Sequence, residues 1–285
     1  ERLERILHWS PERVAAERER FMAAYRPVSI LPPDQYRSVV LQASFGCSWN
    51  RCTFCTFYQG RPFAIRPLPD FETHAAAVAD LLGRAAAART SVFLADGNAL
   101  VLANSKLRPV LGVARAFFPG RPISAFVDVF SGEKKREEQW RELRELGLER
   151  VAVGVETGHD PLLRWLNKPG GADEAAEFVA CLKAAGLRVS LIFMVGVGGR
   201  RFAEPHVADS LALLGRLPLE AGDLVYLSPF VQQPTSRYAA IAEAADVRPL
   251  GEAELAAQYE ELAAGARARS GGAKVALYHL DEFVY

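Results

Sequence analysis

A parallel α/β barrel, complete or partial, is the fold this sequence predicts, and two observations predict it. Short β-rich apolar runs recur along the chain, each followed by a helical pattern. The runs are near-continuous in hydrophobicity, as strands become when both faces of a parallel sheet are covered. Six β-α units at a period of about 30 residues fit βαβ crossovers better than a sandwich.

The six runs are SVVLQAS (Ser38–Ser44), SVFLAD (Ser91–Asp96), ISAFVDV (Ile123–Val129), RVAVGVE (Arg150–Glu156), RVSLIFMV (Arg188–Val195) and DLVYLS (Asp223–Ser228). Amphipathic helices separate them. REEQWRELRELG puts Trp140, Leu143 and Leu146 on one face and stops at Gly147; DEAAEFVACLKAAG does the same with Phe178, Cys181 and Leu182, then Gly186. From the second strand onward the starts fall at 91, 123, 150, 188 and 223, whereas the first gap is 53 residues. That excess follows strand one directly. In α/β barrels the loops at the C-terminal ends of strands build the active site, so the excess marks where chemistry is expected.

Residues 1–37 read as one or two helices leading to the connection LPPDQYR. Residues 252–270 form an Ala/Glu/Arg helix, and KVALYHLDEFVY offers a last strand. No linker is long or polar enough to mark a second domain.

Composition narrows the function classes. Half of the 285 residues are hydrophobic and 24% are charged, an ordinary globular balance with ample core. Lys plus Arg and Asp plus Glu are both 34, which disfavours a nucleic-acid partner because such binders carry a basic excess. No apolar run reaches the roughly 18 residues of a membrane span, and the charged N-terminus has no secretory h-region. Four cysteines, grouped three plus one, make no disulfide framework for a chain this large, so a reducing cytoplasm is expected.

Three of those cysteines, Cys47, Cys52 and Cys55, lie in the long first gap within GCSWNRCTFCTFY, spaced C-x4-C-x2-C. A closed tetrahedral zinc site needs a fourth Cys or His. Cys181 sits on the apolar face of a helix and reads as core packing; His159 is a lone loop histidine. A [4Fe–4S] cluster with three thiolate ligands fits better, because one iron then keeps an open position for a substrate or cofactor.

These residues resemble the radical S-adenosylmethionine (SAM) superfamily, in the branch related to the Elongator catalytic subunit and the oxygen-independent coproporphyrinogen oxidases. The chain is most similar to a bacterial group sharing G-C-S-W-x-R-C-T-F-C and a later D-G-[DN]-A-L, and the likeness runs from about Pro32 to near Pro234. It departs in one place: the commonest spacing is C-x3-C-x2-C, and Ser48–Arg51 adds a residue. The resemblance implies a (β/α)6-type partial TIM barrel over 38–240, a helical N-terminal extension over 1–37, and a C-terminal helix and strand over 241–285. It also implies that the amino and carboxylate groups of SAM chelate the open iron. Reduction then splits the S–C5′ bond, and a 5′-deoxyadenosyl radical takes hydrogen from substrate.

The later strand ends acquire roles by the same resemblance. Asp96, Gly97 and Asn98 would meet the amino group of the methionine moiety, although alone they read as a plain turn. Glu156 and Thr157 would meet the ribose. The bland alternative, a helix-entry cap, is expected instead from Asp160 as N-cap with Pro161 at N1. Lys168, twelve residues after Glu156, would pair with the cofactor carboxylate, a surface lysine being the other reading. Gly196, with Gly198 and Gly199, permits close backbone approach to adenine. Phe54 would pack on the adenine, the main chain near Phe57 would bond its amine, and Ser228-Pro229 would complete the pocket. Asp128 could touch substrate or ribose. Arg61, Arg66 and the stretch QQPTSRY could line the mouth.

The expected partners are a small-molecule, nucleoside or peptide substrate and an external electron donor such as flavodoxin or ferredoxin. With no second cysteine group, an auxiliary cluster is not expected, and no catalytic side chain is assigned. Two rival readings stand beside radical chemistry. One is an iron–sulfur or zinc scaffold; the other is a SAM-cleaving enzyme that moves the aminocarboxypropyl group.

Overall fold

The computed structural model describes residues 10–278. Residues 1–9 of the expected N-terminal helices and residues 279–285 of the expected last strand lie outside them. The chain opens with α1 (Pro11–Ala24), capped by the Ser10 side chain, which accepts from the Arg13 N–H. An extended segment and a short 3-10 turn at Pro33–Gln35 lead into β1 (Ser38–Gln42). A two-residue antiparallel pair, β2 (Ser44–Phe45) with β3 (Ala64–Ile65), brackets the cysteine loop, and α2 (Leu68–Leu82) follows.

The units then repeat as β4 (Ser91–Ala95), α3 (Asn104–Phe117), β5 (Ile123–Asp128), the single turn α4 (Val129–Gly132), α5 (Glu137–Glu145) and β6 (Leu148–Glu156). Next come α6 (Asp160–Trp165), α7 (Ala172–Ala184), β7 (Arg188–Val195), α8 (Gly199–Leu214) and β8 (Leu224–Pro229). The chain closes with α9 (Arg237–Ala244), α10 (Glu252–Arg269) and β9 (Lys274–Leu277). The large sheet has the order β1-β4-β5-β6-β7-β8-β9, and every pairing is parallel.

All six expected strands are present, and the expected last strand makes a seventh, pairing with β8 through four residues. The sheet therefore continues past residue 240, where the sequence placed the barrel's end. β1 and β4 are buried along their whole length, which explains their unbroken hydrophobicity. Helices cover the outside: Trp140 and Leu143 of α5 are fully buried, and the Trp140 ring lies 5.8 Å from Phe178 of α7. Cys181, on the same helix, is half-buried against this layer, as its helical position predicts.

β1 and β9 are the sheet's two edges, and the segment before β1 fills the space between them. The Tyr278 hydroxyl donates to the Leu31 carbonyl (2.6 Å), and the Tyr226 hydroxyl donates to Asp34 Oδ1 (2.9 Å) while accepting from the Asp34 N–H (3.1 Å). Arg150 Nε stands 3.6 Å from Asp34 Oδ2. Among the described residues, no helix is long and apolar enough to cross a membrane.

One capping expectation fails. The N-cap of α6 is His159, and Asp160 is already helical. Its carboxylate instead accepts from the Ala172 N–H (2.8 Å) at the start of α7. The turn into α6 is held by Thr157, whose hydroxyl accepts from the His159 N–H (3.0 Å).

Candidate active site

The long insertion after β1 folds back over the ends of β1 and β4. Gly46 has φ +67°, and its N–H donates to Asp96 Oδ2 (3.3 Å) while its carbonyl accepts from the Gly97 N–H (3.2 Å). The approach is close: a Cβ on Gly97 would stand 2.8 Å from the Tyr58 ring and 2.9 Å from the Gly46 carbonyl oxygen. Asn50 sits in the left-handed region and closes the loop by donating to the carbonyls of Tyr58 (2.9 Å) and Arg61 (3.2 Å). Further on, the Thr53 N–H donates to the Leu166 carbonyl (2.9 Å), and the Tyr238 N–H donates to the Thr53 carbonyl (3.0 Å). Phe54 packs beside the cluster built on Leu162, Leu166 and Met194. The loop is thus fixed at both ends and in the middle.

Beneath it lies a cavity of about 400 Å³ lined by Cys47, Cys52 and Cys55. Burial pushes the Cys52 thiol up to about 12 and the Cys55 thiol up to about 11. Metal binding must therefore displace protons, which makes loading pH-dependent. Among the described residues, no three His, Cys, Asp or Glu side chains converge as a lone metal ion needs. A four-iron cluster makes no such demand, since each thiolate binds its own iron.

The facing wall carries charge. Glu156 ends β6 at φ +68°, beside a register shift against β7 between Gly154 and Glu156. Its side chain folds back over Gly154, where a Cβ would stand 2.5 Å from Glu156 Oε1. Lys168 Nζ meets the same oxygen at 3.2 Å, and both side chains are only about a tenth exposed. Burial alone would drive Lys168 toward its neutral form. Glu156, Cys52 and Asp128 outweigh it, so the net shift is upward and the ammonium stays charged.

Asp128 also lines the cavity, and burial pushes its carboxyl up against the pull of Lys168 and Ser131. One of its oxygens accepts from the Ser131 N–H (2.8 Å), and the other takes the Asn98 side-chain amide. Asp96, behind Gly97, is pushed up to about 6 by burial, against the pull of the Gly46 N–H, Arg61 and Tyr58. Asp96 Oδ1 and Asn98 Oδ1 are both buried acceptors with no partner. Such orphans call for an explanation, and two of them flanking one cavity-lining glycine suit a cationic donor.

The structure brings Cys47, Cys52, Cys55, Phe54, Phe57, Gly97, Glu156, Lys168 and Pro229 to this one cavity, together with Asp128, Ser228 and Gln233. Asp96 and Asn98 stand behind the wall rather than on it. Two residues are turned away. Thr157 is fully buried against His206 (2.7 Å) and Ser210 (3.5 Å), because successive residues at a strand end point to opposite faces and Gly154 and Glu156 take the cavity side. Gly196 gives its N–H to Gln258 (2.6 Å) on α10 instead of to the cavity.

Arg61 bonds the Pro27 carbonyl and Ser29, and Arg66 lies over Phe45, so neither lines the mouth. His159 pairs with Asp209 (2.6 Å). The sequence reading missed the apolar lining of Ile30, Phe126, Ile192, Met194 and Tyr278. Inward alternation along β5 and β7 would have flagged Phe126, Ile192 and Met194; Ile30 and Tyr278 arrive from distant ends of the chain with no local signal.

The profile of the Radical SAM superfamily matches residues 41–211, well over half the chain. No curated protein sequence matches. Among solved structures, the fold is similar to coproporphyrinogen III oxidase (HemN) from Escherichia coli, with TM-score 0.61, 15% identity, and 92% of this chain and 57% of that one covered. It is also similar to methylornithine synthase (PylB), at TM-score 0.57 and 17% identity over 94% of this chain and 78% of that one. A third is the Elp3 of Methanocaldococcus infernus, at TM-score 0.51 and 12% identity over 72% and 51% of the two chains. The chain spans little more than half the length of the coproporphyrinogen oxidase and about a third of another match, the cobalamin-dependent radical enzyme OxsB. Three thiols and a buried carboxylate–ammonium pair facing one cavity fit the cofactors of that superfamily, a [4Fe–4S] cluster and S-adenosylmethionine. On the profile match, the chain belongs to the radical SAM superfamily of enzymes.

Proposed function

We propose that this chain reductively cleaves S-adenosylmethionine and uses the resulting radical to take hydrogen from a substrate. When bound, the cluster supplies the electron that splits the S–C5′ bond, leaving methionine and a 5′-deoxyadenosyl radical. One observation carries the reading: the three thiols open onto the same cavity as the Glu156–Lys168 pair.

Each side chain has a physical task. Cys47, Cys52 and Cys55 would hold a [4Fe–4S] cluster as thiolates, and three ligands would leave one iron available to the cofactor. Lys168 offers a cation for the methionine carboxylate. Glu156 offers acceptors for the ribose hydroxyls, a charge-assisted pairing. The backbone at Gly97 suits the ammonium, with the buried oxygens of Asp96 and Asn98 supporting it from behind the wall. Phe54 and Pro229 give apolar faces for the adenine. The remaining lining, Ile30, Phe126, Ile192, Met194 and Phe230, keeps the reacting centre dry.

The test is anaerobic reconstitution with iron and sulfide, then dithionite and S-adenosylmethionine, with nucleoside products identified by mass spectrometry. The expected product is 5′-deoxyadenosine. Methylthioadenosine would mean that the aminocarboxypropyl fragment moves instead. A cluster that forms without either product would favour a carrier.

A further inference from the structure

The extra residue between Cys47 and Cys52 does not go into the cavity. None of Ser48, Trp49, Asn50 and Arg51 lines it. Asn50 turns the loop in the left-handed region, with Trp49 partly exposed and Arg51 exposed on either side of it. The Trp49 ring meets Phe130 of α4 at 5.5 Å and 66°, with the Arg51 guanidinium 5.3 Å over the Trp49 ring and Lys134 Nζ 5.0 Å over Phe130. Trp49 and Phe130 are partly exposed, and Arg51 and Lys134 are exposed. Asn167 locks the platform in place: its carbonyl accepts from Trp49 Nε1 (2.8 Å), and its amide donates to the Arg51 carbonyl (3.0 Å).

We propose that this platform is the docking surface for an acidic one-electron carrier protein of the flavodoxin or ferredoxin type. The proposal rests on the function proposed above, which consumes an electron from outside. Trp49 is two residues beyond Cys47, and Arg51 directly precedes Cys52. Both residues of the outer face are therefore within two positions of a cysteine along the chain. A carrier seated there would deliver its electron without entering the substrate cavity.

Charge supports the choice of partner. The whole chain is neutral, 34 cations against 34 anions. Yet Arg51 and Lys134 are exposed on the loop and the α4–α5 connection beside the platform, where Glu133 is the neighbouring acid and Glu138 is taken up by Arg136 (3.9 Å). Among the described residues, no carboxylate pairs with Arg51 or Lys134. An aromatic centre with a cationic rim suits a transient partner, since aromatics and arginine are enriched at interfaces and charges steer the encounter. In the step itself the carrier is oxidised by one electron and the cluster is reduced by one; no atom is transferred.

The test compares two reductants on the reconstituted enzyme. The double substitution Arg51→Glu with Lys134→Glu should leave dithionite-driven 5′-deoxyadenosine formation within about twofold of the unsubstituted enzyme. It should raise the KM for reduced flavodoxin on the order of tenfold at low salt. That difference should shrink in roughly 0.3 M salt, where exposed charges are screened. Calorimetric titration with oxidised flavodoxin reads docking without turnover, so it separates a failed docking surface from a failed radical reading. An unchanged flavodoxin KM and unchanged titration would overturn the proposal. So would an equal loss with both reductants, or tighter binding of a short single-stranded RNA than of flavodoxin to the unsubstituted patch.

Discussion

The two ends of the barrel bury polar groups to opposite effect. At the floor, Asp34, Gln35, Ser38, Ser91, Arg150 and Tyr226 bond one another and nearby carbonyls: Gln35 bridges Asp34 (2.6 Å) and Ser38 (2.7 Å), and Arg150 reaches the Val189 carbonyl (3.1 Å). At the rim, Asp96 and Asn98 keep unpartnered oxygens, and Glu156 is held in a left-handed conformation over a glycine. A satisfied network holds a fold together. A buried group left waiting costs about 1–3 kcal/mol, and that cost persists where a ligand meets it.

The largest expected effect breaks the rim outright. Replacing Cys47, Cys52 or Cys55 by Ala should abolish the iron–sulfur absorption after reconstitution, whereas Cys181→Ala should keep it; loss in the latter would make Cys181 a ligand. Next comes acid. His206 is buried, and its Nε2 faces the Met194 carbonyl (2.8 Å), which can only accept, so the Nδ1 atom is bare and takes the Thr157 hydroxyl proton (2.7 Å). Burial holds its pKa near 4, against 6.5 for the free side chain. The unfolded chain therefore binds the proton first, and stability from this group is lost as pH falls from about 6.5 to about 4, by up to about 3 kcal/mol. Denaturant midpoints across that window should fall more steeply for the unsubstituted protein than for His206→Gln. Equal slopes would mean the imidazole is not buried neutral.

Smaller effects sharpen the contrast. Glu156→Gln should weaken S-adenosylmethionine binding on the order of tenfold by calorimetry while the cluster absorption persists, since a charge-assisted bond becomes a neutral one. Unchanged affinity would remove Glu156 from the ribose. Tyr226→Phe at the floor should do the reverse. It should cost about 1 kcal/mol in urea unfolding, because the Asp34 carboxylate loses a donor, and leave cofactor affinity alone.

The strands, the cysteine loop and its place at a strand end were legible because each is local: an apolar run, a spacing, an overlong gap. The facing pair was legible through family resemblance at Glu156 and Lys168. What escaped depended on parity and distance. Thr157 read as a neighbour of Glu156 in role as well as in sequence, but adjacent residues of a strand face opposite ways, and with Glu156 on the cavity side Thr157 meets His206 instead. Gly196 faced the wrong layer for the same kind of reason, since only tertiary packing places α10 beside it. Nothing near Ile30 or Tyr278 announces that they share a cavity wall.

The segment between β1 and β9 also sets an order of assembly. Leu31 is tied to Tyr278 across 247 positions of sequence, so this wall of the chamber is fastened by a contact between distant parts of the chain. Contacts of such separation form late, after the chain between them has been gathered. Ile30 and Tyr278 line the cysteine cavity, so its wall is incomplete until that contact forms. Refolding in the presence of the cluster's components should accordingly yield more loaded protein than adding them afterwards.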